Sequence, residues 1–187
     1  AIEVLDDDSR RFVAWASVEV VDREGEVIPM SELRKIMPQI MERGGPIQDS
    51  HSNRNIGRIL NYSFAEKEVD GEMKDGLLIL AKIYDHTDLD DKVWHEMKEG
   101  ERKGISFGGA ADDAQLDVKF DGEDADILRK LEGYEFSSVF EPANQEANNV
   151  AVNPLAKAGS AKGVMKSLDL EYKGSDYIEK ASSVLEV

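Results

Sequence analysis

The sequence predicts a mainly β domain with a few flanking helices, an α+β fold built on an antiparallel sheet. Three observations point there. β-Branched and aromatic stretches recur between residues 11 and 140, the composition that strands favour. Asp-Gly steps at 70–71, 75–76 and 121–122 punctuate them, and such pairs favour positive φ and tight reversal. Helical spacing with matching caps is confined to two segments before the Ala/Lys/Gly/Ser-rich end of the chain.

Residues 11–21 read Arg-Phe-Val-Ala-Trp-Ala-Ser-Val-Glu-Val-Val, a strand, and residues 22–26 supply turn chemistry. Ser31 caps a helix through Leu33, Ile36 and Met37, which Pro38 kinks and Gly44-Gly45 ends. Residues 56–64 and 77–84 form the next two strands, a hairpin across the Asp-Gly steps. Residues 88–99 carry the clearest helix pattern. Thr87 or Asp88 caps it, Asp90 and Asp91 sit at the positive end of the dipole, and Gly100 follows the last turn. Val93, Trp94 and Met97 share one face. Residues 105–109, 115–120 and 134–140 are short strands, with Asp121-Gly122 turning between two of them. From about residue 155 the chain changes character, with a weak helical pattern at 176–185. The division is therefore a domain over 1–155 and a linker with a peripheral helix, or a propeptide-like tail, over 156–187.

Composition narrows the function. Asp and Glu number 39 against 23 Lys and Arg, a formal charge of −16 over 187 residues. Such a chain repels phosphate backbones, and no basic patch interrupts the acidic residues, so nucleic acid is not an expected partner. With no cysteine there is no disulfide framework, thiolate zinc site or cysteine nucleophile. Apolar runs are as short as that at residues 76–81, so no membrane span is expected. The opening Ala1-Ile-Glu-Val lacks the basic start and apolar core of a signal peptide. The missing initiator Met reads as a processed or trimmed chain. Acidic runs at residues 6–8 and 85–91 lack the spacing of an EF-hand loop. They read as a frayed terminus and a helix cap; no metal or cofactor is called for.

One local motif carries chemistry. Residues 104–108 read Gly-Ile-Ser-Phe-Gly, the G-x-S-x-G pattern of α/β-hydrolases, whose serine sits between a strand and a following helix with its histidine downstream. Here the motif follows the predicted helix, and His51, His86 and His95 all precede Ser106. The α/β-hydrolase reading is excluded. A Ser–His pair in another chain order stays open, because a serine hydroxyl needs a base and triads recur in several orders. His86 and His95 flank or ride on the acidic helix and read as surface or boundary residues. His51 lies in a polar loop just before a strand, where catalytic groups concentrate, and is one candidate base.

Four segments then resemble, in order, the capsid-maturation (prohead) serine proteases of tailed phages, and more distantly the herpesvirus assemblins. They are Val20-Val-Asp-Arg-Glu-Gly-Glu-Val-Ile28, residues 47–57 around His51, Glu99-Gly-Glu-Arg-Lys-Gly-Ile-Ser106, and Glu135-Phe-Ser-Ser-Val-Phe-Glu-Pro-Ala-Asn-Gln-Glu-Ala147. The match spans residues 10–155. It departs from the family where Ser52 follows the histidine in place of an acidic residue, and where Phe107-Gly108-Gly109 follows the serine. These departures touch the substrate groove rather than a catalytic atom.

The resemblance implies an antiparallel, partly closed β-barrel and a serine endopeptidase acting through an acyl-enzyme. Ser106 is then the nucleophile, His51 the base, and Glu135 the carboxylate that orients the imidazole, with Asp49 and Glu141 as fallbacks. Backbone N–H groups near Gly108 and Gly109 are candidates for an oxyanion hole. It further implies scaffold and major capsid proteins as substrates, self-cleavage, homo-oligomerisation, and a place in the host cytoplasm inside the immature procapsid. Two other classes stand beside it: a catalytically inactive protease-like part of an assembling viral particle, and an acidic β module that binds a peptide or sugar.

Overall fold

A computed structural model describes residues 3–6 and 9–147 of the chain. The predicted helix at 176–185 and the boundary at 155/156 lie outside the described residues. Ten elements follow in order: β1 (Glu3–Asp6), β2 (Arg11–Val18), β3 (Glu26–Val27), α1 (Met30–Glu42), β4 (Pro46–Asp49), β5 (Asn55–Val69), β6 (Glu72–Ile83), α2 (Asp88–Lys98), β7 (Gly104–Phe120) and β8 (Glu123–Val139). The fold is mainly β with two helices among the described residues, as the strand-rich pattern predicts.

All eight strands join one sheet in the order β1-β2-β6-β5-β4-β8-β3, with β7 paired to β8. Pairing is antiparallel except where β3 and β4 each run parallel to β8. Among the described residues the sheet is not closed into a barrel, because no ladder joins its two ends. β2 is buried along nearly its whole length because the sheet is covered on both faces there. Phe12, Ala14 and Ala16 enter the main core, while Val13, Trp15 and Val18 pack with Leu78 and Leu80 on the other side.

Local chemistry explains the helices. Thr87 accepts a hydrogen bond from the Asp90 amide and Asp90 reciprocates, a complete capping box for α2. Asp91 pairs with Arg10, so the acidic run at 85–91 is spent on a cap and an ion pair. Ser31 is not the cap of α1. The helix starts at Met30, whose amide donates to Glu19 Oε2 at 2.6 Å, so a carboxylate from the end of β2 does the capping. Met30, Leu33, Ile36, Met37 and Ile40 form its buried stripe, and Pro38 lies on the exposed side within the helix.

The strands are longer than predicted. β5 and β6 form the expected hairpin, but its turn is Asp70-Gly71 alone, both at positive φ. Asp75-Gly76 is inside β6, facing β2 and β5. The three short strands expected between 105 and 140 are two strands of 17 residues each, joined by Asp121-Gly122. Their outer parts form an arm with little burial on either face.

Candidate active site

The β7–β8 register brings the predicted residues onto one strip. Ser106 lies opposite Ser137, and Gly108 lies opposite Glu135. Side chains alternate across a sheet. Ile105, Phe107 and Phe136 turn into the core or against it, with the two phenylalanine rings 5.5 Å apart edge to face. Ser106, Gly108, Glu135 and Ser137 are therefore on the opposite face.

β4 runs parallel to the end of β8, with Gln48 paired to Ser137 and Asp49 to Ser138. The chain leaves β4 directly into the loop that carries His51, so the histidine arrives beside Glu135. Its Nδ1 lies 2.7 Å from Glu135 Oε1. A carboxylate only accepts, so Nδ1–H donates and Nε2 is left with its lone pair. The His51 side chain keeps 41% of its exposure, while Glu135 keeps 7%. His51 and Ser106 line one cavity of about 260 Å³. The structure thus joins His51 to Glu135 by a hydrogen bond and places Ser106 with His51 in a shared cavity.

Gly108 is a geometric requirement of this pair. A Cβ there would meet Glu135 Oε1 at 1.8 Å and His51 Nδ1 at 3.1 Å. Between Gly108 and Gly109 the register shifts, leaving Tyr134 as the extra residue on β8. Such bulges re-aim side chains, and this one adjoins Glu135. Gly109 lines the cavity beside Ser106, where its backbone remains the candidate oxyanion donor.

The loop itself is held in an unfavourable conformation. Ser50, His51 and Asn53 have φ of 47°, 56° and 61°, a region that non-glycine residues rarely adopt. Hydrogen bonds hold it there: Ser50 N–H to Ser138 O at 3.2 Å, Ser52 N–H to Asp49 O at 2.9 Å, and Asn53 N–H to Gln48 Oε1 at 3.1 Å. Beneath the loop Arg102 is 3% exposed. It donates to Asp49 Oδ1 at 2.8 Å, Glu96 Oε2 at 2.8 Å and Ser138 O at 2.6 Å. Arg54 takes the other Asp49 oxygen at 2.7 Å.

This settles the fallback carboxylates. Asp49 is committed to two arginines, and Glu141 is exposed on Arg23 and Lys103, whose hydrogen bonds hold its carboxyl below the usual range. Neither bonds His51. His86 is exposed, stacked on Tyr84 with ring centroids 5.2 Å apart, and His95 is an exposed residue of α2.

Two residues went unnoticed in the sequence. Arg102 is one. Ser137 is the other: its hydroxyl donates to Glu135 Oε2 at 2.8 Å and accepts the His51 amide at 2.9 Å. One buried oxygen thus fixes both the Glu135 carboxylate and the backbone of His51. The signal was the Glu-x-Ser spacing, which puts both side chains on one face of a strand. Ser137→Ala is expected to lower the kcat of whatever reaction His51 serves by about 10- to 100-fold at unchanged KM, the weight of a hydrogen bond to a charged group. Ser137→Thr should restore most of it. A change in KM alone would show that Ser137 acts on substrate instead.

The fourth sequence segment closes the site from the side. Asn144 Nδ2 donates to Val18 O at 2.6 Å, Arg23 N–H donates to Ala143 O at 3.1 Å, and Ala143 and Asn144 both line the cavity. Comparison with protein-family models, with curated proteins and with solved structures finds no match to this chain.

Proposed function

We propose that the chain is a serine endopeptidase of the prohead-protease type, with Ser106 as nucleophile, His51 as general base and Glu135 as its orienting carboxylate. The observation that carries this reading is the 2.7 Å bond between His51 Nδ1 and Glu135 Oε1 in a cavity that Ser106 also lines. The three residues come from separate stretches of chain, and the bond from His51 to Glu135 with Ser106 in the same cavity supports assigning them these roles.

Ser106 Oγ attacks the substrate carbonyl carbon while its proton passes to His51 Nε2. Glu135 stabilises the imidazolium through Nδ1–H. Collapse of the tetrahedral intermediate breaks the C–N bond, and His51 delivers the proton to the leaving amine. Water then attacks the acyl-enzyme, gives its proton to His51, and releases the acid as Ser106 recovers its own. No cofactor enters the scheme. The finer fold reading, a sheet of the prohead-protease and assemblin type that curls toward closure, belongs to the same proposal. So do its setting and partners: scaffold and major capsid proteins cut inside an immature procapsid in the host cytoplasm, self-cleavage, and a homo-oligomer.

The test is mass spectrometry of the full-length chain with procapsid scaffold protein, beside Ser106→Ala and His51→Ala variants. Discrete new termini with the wild type and none with either variant are the expected result. Equal cutting by all three, or none by the wild type, would overturn the reading and favour a protease-like structural component.

A further inference from the structure

The cavity shared by Ser106 and His51 has a wall of one charge. Asp22, Glu24 and Glu26 line it, and among the described residues no Lys or Arg does. The three carboxylates are close because the Asp22 side chain accepts the amides of Glu24 and Glu26, both at 2.9 Å, which folds the turn back toward the site. Burial raises the Glu26 carboxyl above its ordinary pKa, and Asp22, Glu24 and Asp126 raise it further. A group in that condition is stabilised by an added cation. Apolar side chains, Ile28 and Leu128 among them, form the rest of the wall.

A second observation is independent of the charges. Ser17 is 1% exposed and lines the same cavity, and its hydroxyl has no hydrogen-bond partner among the described residues. A buried hydroxyl without a partner is costly, and in a cavity wall it is an unused hydrogen-bonding group for a ligand. Carboxylates with apolar walls and a spare hydroxyl match a long side chain with an apolar stem and a cationic head.

We infer that this cavity is a specificity subsite for a lysine or arginine side chain of the substrate, next to the scissile bond. The inference rests on the endopeptidase reading for the words "scissile bond", but not for the cation site itself. That separation sets the experiment. In the Ser106→Ala chain, p-aminobenzamidine serves as a small aromatic cation whose fluorescence reports binding without cleavage. It should bind saturably and be displaced by lysine amide but not by norleucine amide. A Glu24→Gln/Glu26→Gln variant should weaken it about tenfold or more, equivalent to about 1.4 kcal/mol. Circular dichroism of that variant checks that it is folded, and Asp85→Asn/Asp88→Asn, exposed residues beyond the opposite end of β6 that do not line the cavity, controls for loss of general charge. Absence of saturable binding, displacement by both amides alike, or equal weakening in the control variant would overturn the inference. In parallel, the wild type is incubated with a mixed peptide library and the new termini are mapped. Ser106-dependent cuts beside Lys or Arg support both conclusions. Ser106-dependent cuts without such a preference overturn the subsite and leave the endopeptidase. Selective cation binding without any cuts overturns the endopeptidase and leaves the subsite.

Discussion

Ser106→Ala, His51→Ala and the double variant are expected to lose peptidase kcat to nearly the same residual level, about 10⁴-fold or more below the wild type. The reason is that, in the proposed mechanism, nucleophile and base act as one unit. Once the hydroxyl is gone there is no proton for His51 to take, and without His51 the hydroxyl is a weak nucleophile at neutral pH. KM should hardly move, since the carboxylates Asp22, Glu24 and Glu26 proposed to hold the substrate's cationic side chain are left intact. Glu135→Ala should cost less than either, because it orients the imidazole and touches no reacting atom. Steady-state kinetics on a peptide matching a mapped cut site gives the comparison. Losses that multiply in the double variant would mean that the two residues contribute separately, and the proposed unit would be wrong.

The second large effect concerns stability. Arg102→Met should destabilise the fold by roughly 3–5 kcal/mol, the loss typical of removing one partner from a buried charge network. Asp49 and Glu96 are 6% and 8% exposed and would each lose a charged donor, and the Ser138 carbonyl would keep only the Ser50 amide of its two donors. Arg54 still reaches Asp49, but nothing comparable replaces Arg102 at the oxygen of Glu96 that it holds. Arg102→Lys should recover part of the loss, since one ammonium cannot span three acceptors that a planar guanidinium reaches together. Denaturant titration measures both. A loss below about 1 kcal/mol would mean that water solvates the pocket and that the pairs behave like surface bridges.

The sequence was legible where the controlling chemistry is local. The capping box of α2 sits within four residues, and the positive-φ turns at 70–71 and 121–122 are written in adjacent pairs. It misled where the same local signal meets a tertiary demand. Asp75-Gly76 has the composition of a turn, yet Gly76 is a strand glycine because a Cβ there would lie 2.7 Å from the Trp15 ring. The outer arms of β7 and β8 were broken into fragments because they are exposed on both faces. A strand with no buried face shows no alternation to read. The site divides in the same way. His51, Ser106 and Glu135 were found through segment resemblance, and the structure brings the first and third into contact. Arg102 lies in Glu99-Gly-Glu-Arg-Lys, where nothing local sets it apart until Asp49 and Ser138, remote in sequence, join Glu96 as its acceptors. Ser137 is an ordinary strand serine until the parallel β4 delivers the His51 amide to its hydroxyl.

That parallel pairing also sets an order in time. The partners of β4 are residues 136–138, almost ninety positions later in the chain, and β8 is the last strand among the described residues. A nascent chain that stops short of Glu135 already carries both His51 and Ser106. β5 can already pair with β4 on its other edge, but the chain lacks the Ser137 and Ser138 oxygens that accept the His51 and Ser50 amides and the carboxylate that chooses the tautomer. The His51–Glu135 pair can therefore form only after Glu135 is made, when His51 and Ser106 are already present. Until β8 has emerged and docked, neighbouring nascent chains are exposed to a serine and a histidine that have not yet been assembled into a site.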